Sequence, residues 1–320
     1  MKTHLPIDAD MKNLLNRIGA KMAELKHPPL TELSALQSRY FYKEARTFFQ
    51  RLEMNDLMIY NEKIQSADFL IPVRIYQPQS SELLPVLIFM HGGGWVFGDL
   101  DSADSMCRYF AKNANCLIVS VGYRLAPEHP FPAALMDVLA VSEWVPQNIS
   151  KWNGNSDQLA IGGESSGANL AAAAANWLCD QGKQTFNMQF LITPVLNHHF
   201  DTESYLSGYS FNLTKEKMEW FWNHYLSKQE HGKNPYASPL LLINAEHVPP
   251  AMIVTVEYDP LRDEGRQYAE KLPDAGVSVT YLHYEQLVHS FPNMIGQVNR
   301  ADLAMIDLTS QLKNLLRKFF

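Results

Sequence analysis

The segment with the clearest chemical potential is a serine flanked by glycines. Gly163-Glu164-Ser165-Ser166-Gly167 lies between a strand-like run, QLAIG, and a helix-like run, ANLAAAAANWL. A G-x-S-x-G pentapeptide is common by chance, but at a strand-to-helix turn it exposes the serine at the carboxyl edge of a sheet. The next helix then directs its dipole and free N–H groups at that hydroxyl. The pattern predicts Ser165 as a nucleophile, and the alternative is a packing turn with a helix-capping serine.

A serine hydroxyl also needs a base to remove its proton and an acid to orient that base. At such a turn the partners follow in the order serine, acid, histidine, each at the end of a later strand. His289, in the loop EQLVHSF beyond the last predicted strand, is favoured as the base because His283 falls inside that strand. Asp259 ends the run AMIVTVEY and is the predicted acid, whereas Asp263 falls in the following helix.

A glycine-rich loop is the third chemical feature. His91-Gly92-Gly93-Gly94-Trp95 follows the run PVLIFM. Consecutive glycines let the backbone approach a substrate and present unhindered N–H groups, which an oxyanion needs. A flexible loop and a phosphate loop are the alternatives, but no Gly-Lys-Ser/Thr follows to hold a phosphate.

The order of predicted elements indicates an α/β protein. The sequence has eight short strand-like runs, and several of them are apolar on both faces. Helical patterns separate the later runs. The predicted strands span 56–60, 69–76, 85–90, 116–122, 158–162, 189–195, 251–257 and 278–284, and the predicted helices 102–114, 133–147, 166–181, 262–273 and 298–319. This alternation predicts a mostly parallel sheet covered by helices on both faces.

Two segments depart from this alternation and are predicted to form a cap over the sheet. Residues 1–55 have helical patterns, with Leu36, Tyr40, Ala45 and Phe48 in the second amphipathic stretch. Residues 197–247 insert a helix, TKEKMEWFWNHYL, between two strands. We therefore divide the chain into an N-terminal helical cap segment over 1–55 and a catalytic domain over 56–320, with a cap insertion at about 197–247.

Composition excludes several classes of function. The 320 residues include 34 acidic and 27 basic side chains, a formal net charge of -7, which disfavours nucleic-acid binding and a polybasic membrane anchor. The N-terminus lacks the apolar region of a secretory signal, and no apolar run is long enough to span a membrane. The three cysteines lack metal-site or redox spacing. A cytoplasmic location, no metal and no cofactor are expected.

Taken in order, the motifs resemble those of the bacterial hormone-sensitive-lipase-like carboxylesterases. They are HGGGW with Gly98-Asp99, YRLAPEHPFPAALMD (123–137), GESSG (163–167), NPYASPL (234–240), DPLRDEG (259–265) and His289. The resemblance implies an α/β-hydrolase fold, with an eight-stranded sheet and a helical cap.

The resemblance also implies roles for individual residues. Ser165, Asp259 and His289 would form the catalytic triad. The N–H groups of Gly93, Gly94 and Ser166 would form the oxyanion hole, with His91 and Gly92 holding its loop in shape.

The chain departs from the family pattern at both ends of the triad. The usual G-D-S-A-G-G becomes Gly163 to Ala168 with Glu164, Ser166 and Ala168 in place of Asp, Ala and the last Gly. The usual H-G-F becomes His289-Ser290-Phe291. A backbone donor survives a change of side chain, so the oxyanion hole is expected to persist.

These features predict a cofactor-free serine carboxylesterase for short-to-medium acyl esters, with a small ester as its partner. An amidase or formamidase with the same triad and a non-catalytic small-molecule receptor on the same fold are the alternatives. Trp95 and Trp220 are predicted to contact substrate, although an aromatic stripe at helical spacing is usually packing. The last strand could pair across a two-fold axis if it lies at the sheet edge, which leaves a homodimer open.

Overall fold

A computed structural model describes residues 5–49, 51–67, 69–208, 211–243 and 245–318. Residues 1–4, 50, 209–210 and 244, in the two predicted cap segments, residue 68, just before the second predicted strand, and 319–320, at the predicted last helix, lie outside these ranges. The strands are β1 (Leu57–Ser66), β2 (Phe69–Pro78), β3 (Leu84–Met90), β4 (Leu117–Val121), β5 (Gly154–Glu164), β6 (Met188–Ile192), β7 (Ala251–Tyr258) and β8 (Val279–Val288). The α-helices of the described ranges are α1 (Ala9–Glu24), α2 (Ala35–Arg46), α3 (Asp104–Ala114), α4 (Ala133–Asn148), α5 (Ser166–Asp180), α6 (Glu203–Leu206), α7 (Lys215–Tyr225), α8 (Arg262–Asp274) and α9 (Asn299–Lys318).

All eight strands belong to one sheet in the order β1-β2-β4-β3-β5-β6-β7-β8. The pairs β1–β2 and β2–β4 are antiparallel, and every other neighbouring pair is parallel. The predicted mostly parallel α/β sheet is confirmed. The largest boundary difference is at β1, which ends six residues later than predicted; β5 begins four residues earlier and β8 ends four residues later. His289 therefore follows the last strand directly.

The sheet is covered on both faces because its central strands alternate between two apolar clusters. In β3, Val86, Ile88 and Met90 pack into the cluster beneath α4, α5 and α8. Leu87 and Phe89 pack into the opposite cluster, with α1, α3 and α9. This is the period-two geometry of a strand buried on both faces.

Polar contacts contribute to the attachment of the N-terminal helix α2. Leu36 is 76% exposed and Tyr40 is 53% exposed, so these two members of the predicted amphipathic stretch face solvent. Arg39 decides the orientation of α2: its guanidinium donates to Val96 O and Ala126 O at 2.8 and 2.9 Å. It also forms a bidentate pair with Glu128, at 2.8 and 2.7 Å, whose pKa it lowers to about 2.

The proline-rich segment 123–137 is held by a buried ion pair. The Asp137 side chain is fully buried and accepts hydrogen bonds from the backbone N–H, Nε and Nη2 of Arg124 at 2.7 to 3.0 Å. Because a buried charge without its partner is unfavourable, this pair locks the segment against the start of α4. The role of this pair is structural.

We expect Asp137→Asn to lower the free energy of unfolding by about 3 kcal/mol, because it removes the buried carboxylate of a hydrogen-bonded ion pair. Urea denaturation followed by circular dichroism would measure the change. Asp157→Asn is the matched control: Asp157 is exposed and its side chain forms no ion pair in the described ranges, so the expected change is within about 0.5 kcal/mol. Equal stabilities of the two variants would contradict this role for Asp137.

Candidate active site

The serine lies on a sharp turn between β5 and α5. Ser165 has φ 57° and ψ -119°, a conformation that a non-glycine residue adopts only when its surroundings impose it. Here the backbone N–H of Ser165 donates to Ile192 O at 2.9 Å, which ties the turn to the end of β6. The hydroxyl is thereby held at the carboxyl edge of the sheet, at the N-terminus of α5.

His289 and Asp259 reach this hydroxyl from the ends of the two neighbouring strands β8 and β7. His289 Nε2 lies 2.9 Å from Ser165 Oγ, and His289 Nδ1 lies 2.8 Å from Asp259 Oδ2. A carboxylate accepts hydrogen bonds, so Nδ1 donates and Nε2 is left to accept from the serine. Asp259 Oδ1 accepts from the Leu261 N–H at 2.9 Å, which fixes the carboxylate. All three side chains are buried.

The rival residues named from sequence lie elsewhere. His283 Nε2 lies 3.0 Å from Glu257, and His283 Nδ1 lies 3.0 Å from Thr255 Oγ1, within β7 and β8. Asp263 is in the first turn of α8, where it accepts from the Ser204 N–H and pairs with Arg262. Neither contacts Ser165, and the structure brings together the three residues selected from sequence.

The electrostatics of the histidine suit a base. Burial by itself would lower the pKa of His289, but the charge and hydrogen bond of Asp259 and the charge of Glu164 outweigh it and raise the pKa above the usual 6.5. The imidazolium that forms when the serine gives up its proton is therefore stabilised.

The glycine loop lies beside the serine and has free donors. Gly93 has φ 121°, which a residue with a side chain rarely adopts, and Gly93 and Gly94 line the same cavity as Ser165. Within the described residues, nothing accepts a hydrogen bond from the N–H groups of Gly93, Gly94 or Ser166. These N–H groups are available to an oxyanion.

His91 and Gly92 belong to the packing of this loop. The His91 ring stacks on Tyr123 at 4.3 Å, and its Nδ1 lies 2.9 Å from Gly92 O. Burial lowers the pKa of His91 to about 4, so it is neutral at pH 7 and is a packed ring rather than a charge. A Cβ added at Gly92 would lie 1.9 Å from Glu164 Oε2, so the loop passes directly over that carboxylate.

Two of the departures from the family pattern, Glu164 and Ser290, are in contact with each other. Ser290 Oγ donates to Glu164 Oε1 at 2.8 Å, and Glu164 Oε1 also lies 3.7 Å from His289 Nε2. Burial raises the pKa of Glu164, whereas the charge of His289 opposes that rise. Glu164 and Ser290 therefore link the serine turn to the histidine loop.

The serine opens into a cavity of about 280 Å³ between the sheet edge and the helices α1, α2 and α7. This volume is just below the range typical of small-molecule sites, about 300–1,000 Å³. The apolar side chains of its wall are Ile18, Met22, Leu30, Phe41, Ala45, Phe49, Phe97, Leu213, Met218 and Phe221.

The structure places neither Trp95 nor Trp220 on this wall, and their contact with substrate stays a prediction. The Trp95 ring stacks on Tyr225 at 4.1 Å, and the Trp220 ring lies 4.0 Å from His224. Phe221 lines the cavity instead, because one residue along α7 is a rotation of about 100° around the helix axis. The aromatic stripe is mostly packing, the alternative noted from sequence.

Three polar residues of the cavity wall were not predicted from the sequence. Asn212 Nδ2 donates to His289 O at 2.8 Å, and Arg46 and Lys217 line the cavity from α2 and α7. All three lie in stretches where polar residues are frequent, so no motif distinguished them. Their significance arises only from where α2 and α7 are placed.

Within the described ranges, no group of three or more His, Cys, Asp or Glu side chains is placed to hold a metal ion. Among the same residues, no helix combines the length and apolarity needed to cross a membrane.

Comparison with known proteins agrees with this geometry. Residues 87–293 match the family described as alpha/beta hydrolase fold. The chain is 38% identical over 231 residues to the carboxylic ester hydrolase LipN of Mycobacterium tuberculosis, a match that covers 70% of this chain and 61% of that protein. It is 30% identical over 320 residues to the ethyl acetate hydrolase of Pseudomonas putida, covering 98% of this chain and all of that protein.

Solved structures extend the likeness over nearly the whole chain. The thermostable esterase from Pseudomonas putida ECU1011 superposes with a TM-score of 0.89 at 30% identity, covering 97% of this chain and 98% of that one. The ester hydrolase EH1AB1 from the metagenome of Lake Arreo gives 0.89 at 31% identity, covering 96% and 98%. The resemblance drawn from the motifs is confirmed: the chain belongs to the α/β hydrolase fold family, among its hormone-sensitive-lipase-like carboxylesterases.

Proposed function

We propose that this protein is a serine carboxylesterase that hydrolyses short-to-medium acyl esters through an acyl-enzyme on Ser165. The observation that carries the proposal is the continuous hydrogen-bonded path from Ser165 Oγ through His289 to Asp259, at 2.9 and 2.8 Å, beside three free N–H groups. Relatives named carboxylic ester hydrolase, ethyl acetate hydrolase and arylesterase support the reaction class.

The geometry supports the following reaction. Ser165 Oγ attacks the ester carbonyl while His289 Nε2 takes its proton, and Asp259 holds the imidazole tautomer and stabilises its charge. The N–H groups of the oxyanion loop and of Ser166 stabilise the tetrahedral oxyanion. The alcohol leaves with the proton from His289. Water then attacks the acyl-enzyme, gives a proton to His289, and releases the acid and free Ser165.

We propose that the segments 1–55 and 197–247 act as the cap of this site, on a catalytic domain over 56–320. Side chains of α1, α2 and α7 supply most of the cavity wall opposite Ser165. A cap of this kind excludes water from the acyl-enzyme except for the attacking molecule.

Two further predictions from the sequence stay predictions. A cytoplasmic location is one. A homodimer is the other, and the place of β8 at the end of the strand order supports it, because an edge strand leaves hydrogen-bonding groups for a partner.

A fluorophosphonate probe tests the proposed nucleophile. We expect covalent labelling of Ser165 in the native protein and none in Ser165→Ala, because the probe reacts with a serine activated by its base. Peptide mass spectrometry would locate the adduct. Ser290→Ala is the matched control, since Ser290 is half-buried beside His289 but does not bond its ring, and it should retain labelling of Ser165. An adduct on another serine, or none on active protein, would reject the assignment.

The acid is tested by Asp259→Asn, which should lower kcat by on the order of 10⁴ because it removes the acceptor that sets the histidine tautomer. The raised pKa of His289 places the acid limb of kcat/KM above pH 6.5 in the native enzyme, since the base acts only when neutral. In Asp259→Asn that limb should move to lower pH, because the carboxylate that raised the pKa is gone.

Asp263→Asn is the control for this test, and it should change neither the limb nor kcat by a comparable amount. Stopped assays over pH 5 to 9 would measure both. Equal losses in the two variants, or the reverse ranking, would contradict the assignment of Asp259.

Substrate size is predicted from the cavity. Across p-nitrophenyl esters, kcat/KM should peak between acetyl and hexanoyl, because each methylene that fits adds about 0.8 kcal/mol and each that overruns stays wet or clashes. Met218→Ala should move the peak to longer chains, since Met218 is buried in the cavity wall.

Met136→Ala, an exposed methionine of α4, is the control for this substitution and should leave the peak unchanged. An unbroken rise to C12–C16, or activation by emulsified triglyceride, would show a lipase instead. Faster turnover of matched amides would favour the amidase alternative.

A further inference from the structure

The cavity that holds Ser165 has two cationic side chains on its wall. Arg46, in the last turn of α2, and Lys217, in α7, both line it and are both partly buried. They come from the two different segments proposed as the cap, so they face the cavity from two helices that are distant in sequence. An esterase for neutral substrates has no need of either charge.

Neither cation has a carboxylate partner among the residues that the structure describes. Within the described residues, no carboxylate oxygen lies within the 4.0 Å of an ion pair from Arg46 or Lys217. The Arg46 guanidinium lies over the Tyr42 ring at 5.8 Å, and Lys217 Nζ donates to Asn212 O at 2.5 Å. Other partly buried arginines of the chain differ: Arg39 and Arg124 each pair with a carboxylate.

The arrangement is unfavourable in the empty protein. Partly buried cations lose hydration, and proteins usually offset that loss with a paired anion. Burial accordingly lowers the pKa of Lys217. Among the described residues of the cavity wall, Glu164 is the one carboxylate. Its Oε1 accepts a hydrogen bond from Ser290, and burial raises the pKa of Glu164. With Glu164 ionised, the charges of Arg46, Lys217 and Glu164 sum to +1, and with Glu164 protonated they sum to +2.

A structural role on α2 does not account for Arg46. A cation in the last turn of a helix complements the helix dipole, and Lys43 already does so from the exposed face. Arg46 is directed instead into the cavity, where its charge acts on Glu164 and His91. The chain as a whole has a net charge of -7, which by itself would repel an anion. The two cations on the cavity wall are therefore a local exception to the charge of the chain.

We propose that the preferred substrates are esters carrying an anionic group, a carboxylate being the simplest, which Arg46 and Lys217 bind while Ser165 attacks the ester carbonyl. This inference rests on the proposed esterase function and names its substrate class. In a cavity of about 280 Å³, a group a few atoms from the scissile carbonyl meets the walls formed by α2 and α7. Charge-assisted hydrogen bonds from a guanidinium and an ammonium there orient the ester.

The test compares anionic esters with neutral isosteres. One arm places the charge on the alcohol half, with 4-acetoxybenzoate against 4-acetoxybenzamide. The other places it on the acyl half, with mono-4-nitrophenyl adipate against its monoamide. The readout is the ratio of kcat/KM for the anionic ester to that for the neutral one. We expect a ratio of at least about ten in one arm, which identifies the half of the substrate that carries the charge.

Variants then assign the effect to the two cations. Arg46→Gln and Lys217→Gln should each lower the ratio by about tenfold, the scale of one charge-assisted bond. Lys43→Gln and Lys215→Gln, on the same two helices but away from the cavity wall, remove the same charge and should keep the native ratio. Fluorophosphonate labelling of Ser165 verifies that every variant is folded and active.

The outcomes separate the two proposals. Turnover of the neutral esters with ratios at or below one in both arms of the native enzyme overturns the anionic substrate class while the esterase stands. Equal ratios in the cavity variants and their controls overturn the assignment to Arg46 and Lys217. No turnover of any of the four esters overturns the esterase proposal, and with it this inference.

Discussion

The hydrogen bond between His289 and Asp259 is the contact on which the site depends. It joins the ends of β7 and β8 at 2.8 Å, and it sets which imidazole nitrogen is free to face Ser165. The two side chains meet because the parallel strands β7 and β8 bring their carboxyl ends to one edge of the sheet. Ser165 reaches the same edge from its strained turn between β5 and α5. The buried sheet supplies the rigidity that holds this strain.

A second carboxylate, that of Glu164, lies beside this contact, 3.7 Å from His289 Nε2. Glu164 replaces the usual Asp and Ser290 replaces the usual Gly, and the two are hydrogen-bonded at 2.8 Å. Ser290 has φ 62°, the left-handed region that explains a glycine at this place. A serine here accepts that backbone strain and gains a hydrogen bond from the histidine loop to the serine turn. The hydrogen bond between Glu164 and Ser290 therefore explains the two substitutions together.

The helices α1, α2 and α7 contribute much of the wall of the cavity that holds Ser165. Helix α2 is attached by specific polar contacts, such as Arg39 with Val96 O and Glu128, and not only by apolar burial. That attachment orients α2 so that Tyr42 and Arg46 reach the cavity, while Leu36 and Tyr40 face solvent. The hydrogen-bonded path of Ser165, His289 and Asp259 thus comes from the sheet edge, whereas much of the cavity wall comes from the helices above it.

What the sequence by itself determined is the part that local patterns encode. The eight strands, the strand-turn-helix setting of Ser165 and the positions of Asp259 and His289 at strand ends follow from apolar periodicity and from the order of motifs. Only the tertiary structure decided which faces of the cap helices meet the site, that Phe221 rather than Trp220 lines it, and that Glu164 and Ser290 touch. The physical reason is range: strand and turn preferences act between residues near in sequence, whereas the rotation of a helix about its axis is set by long-range contacts such as Arg39 with Glu128, 89 residues apart.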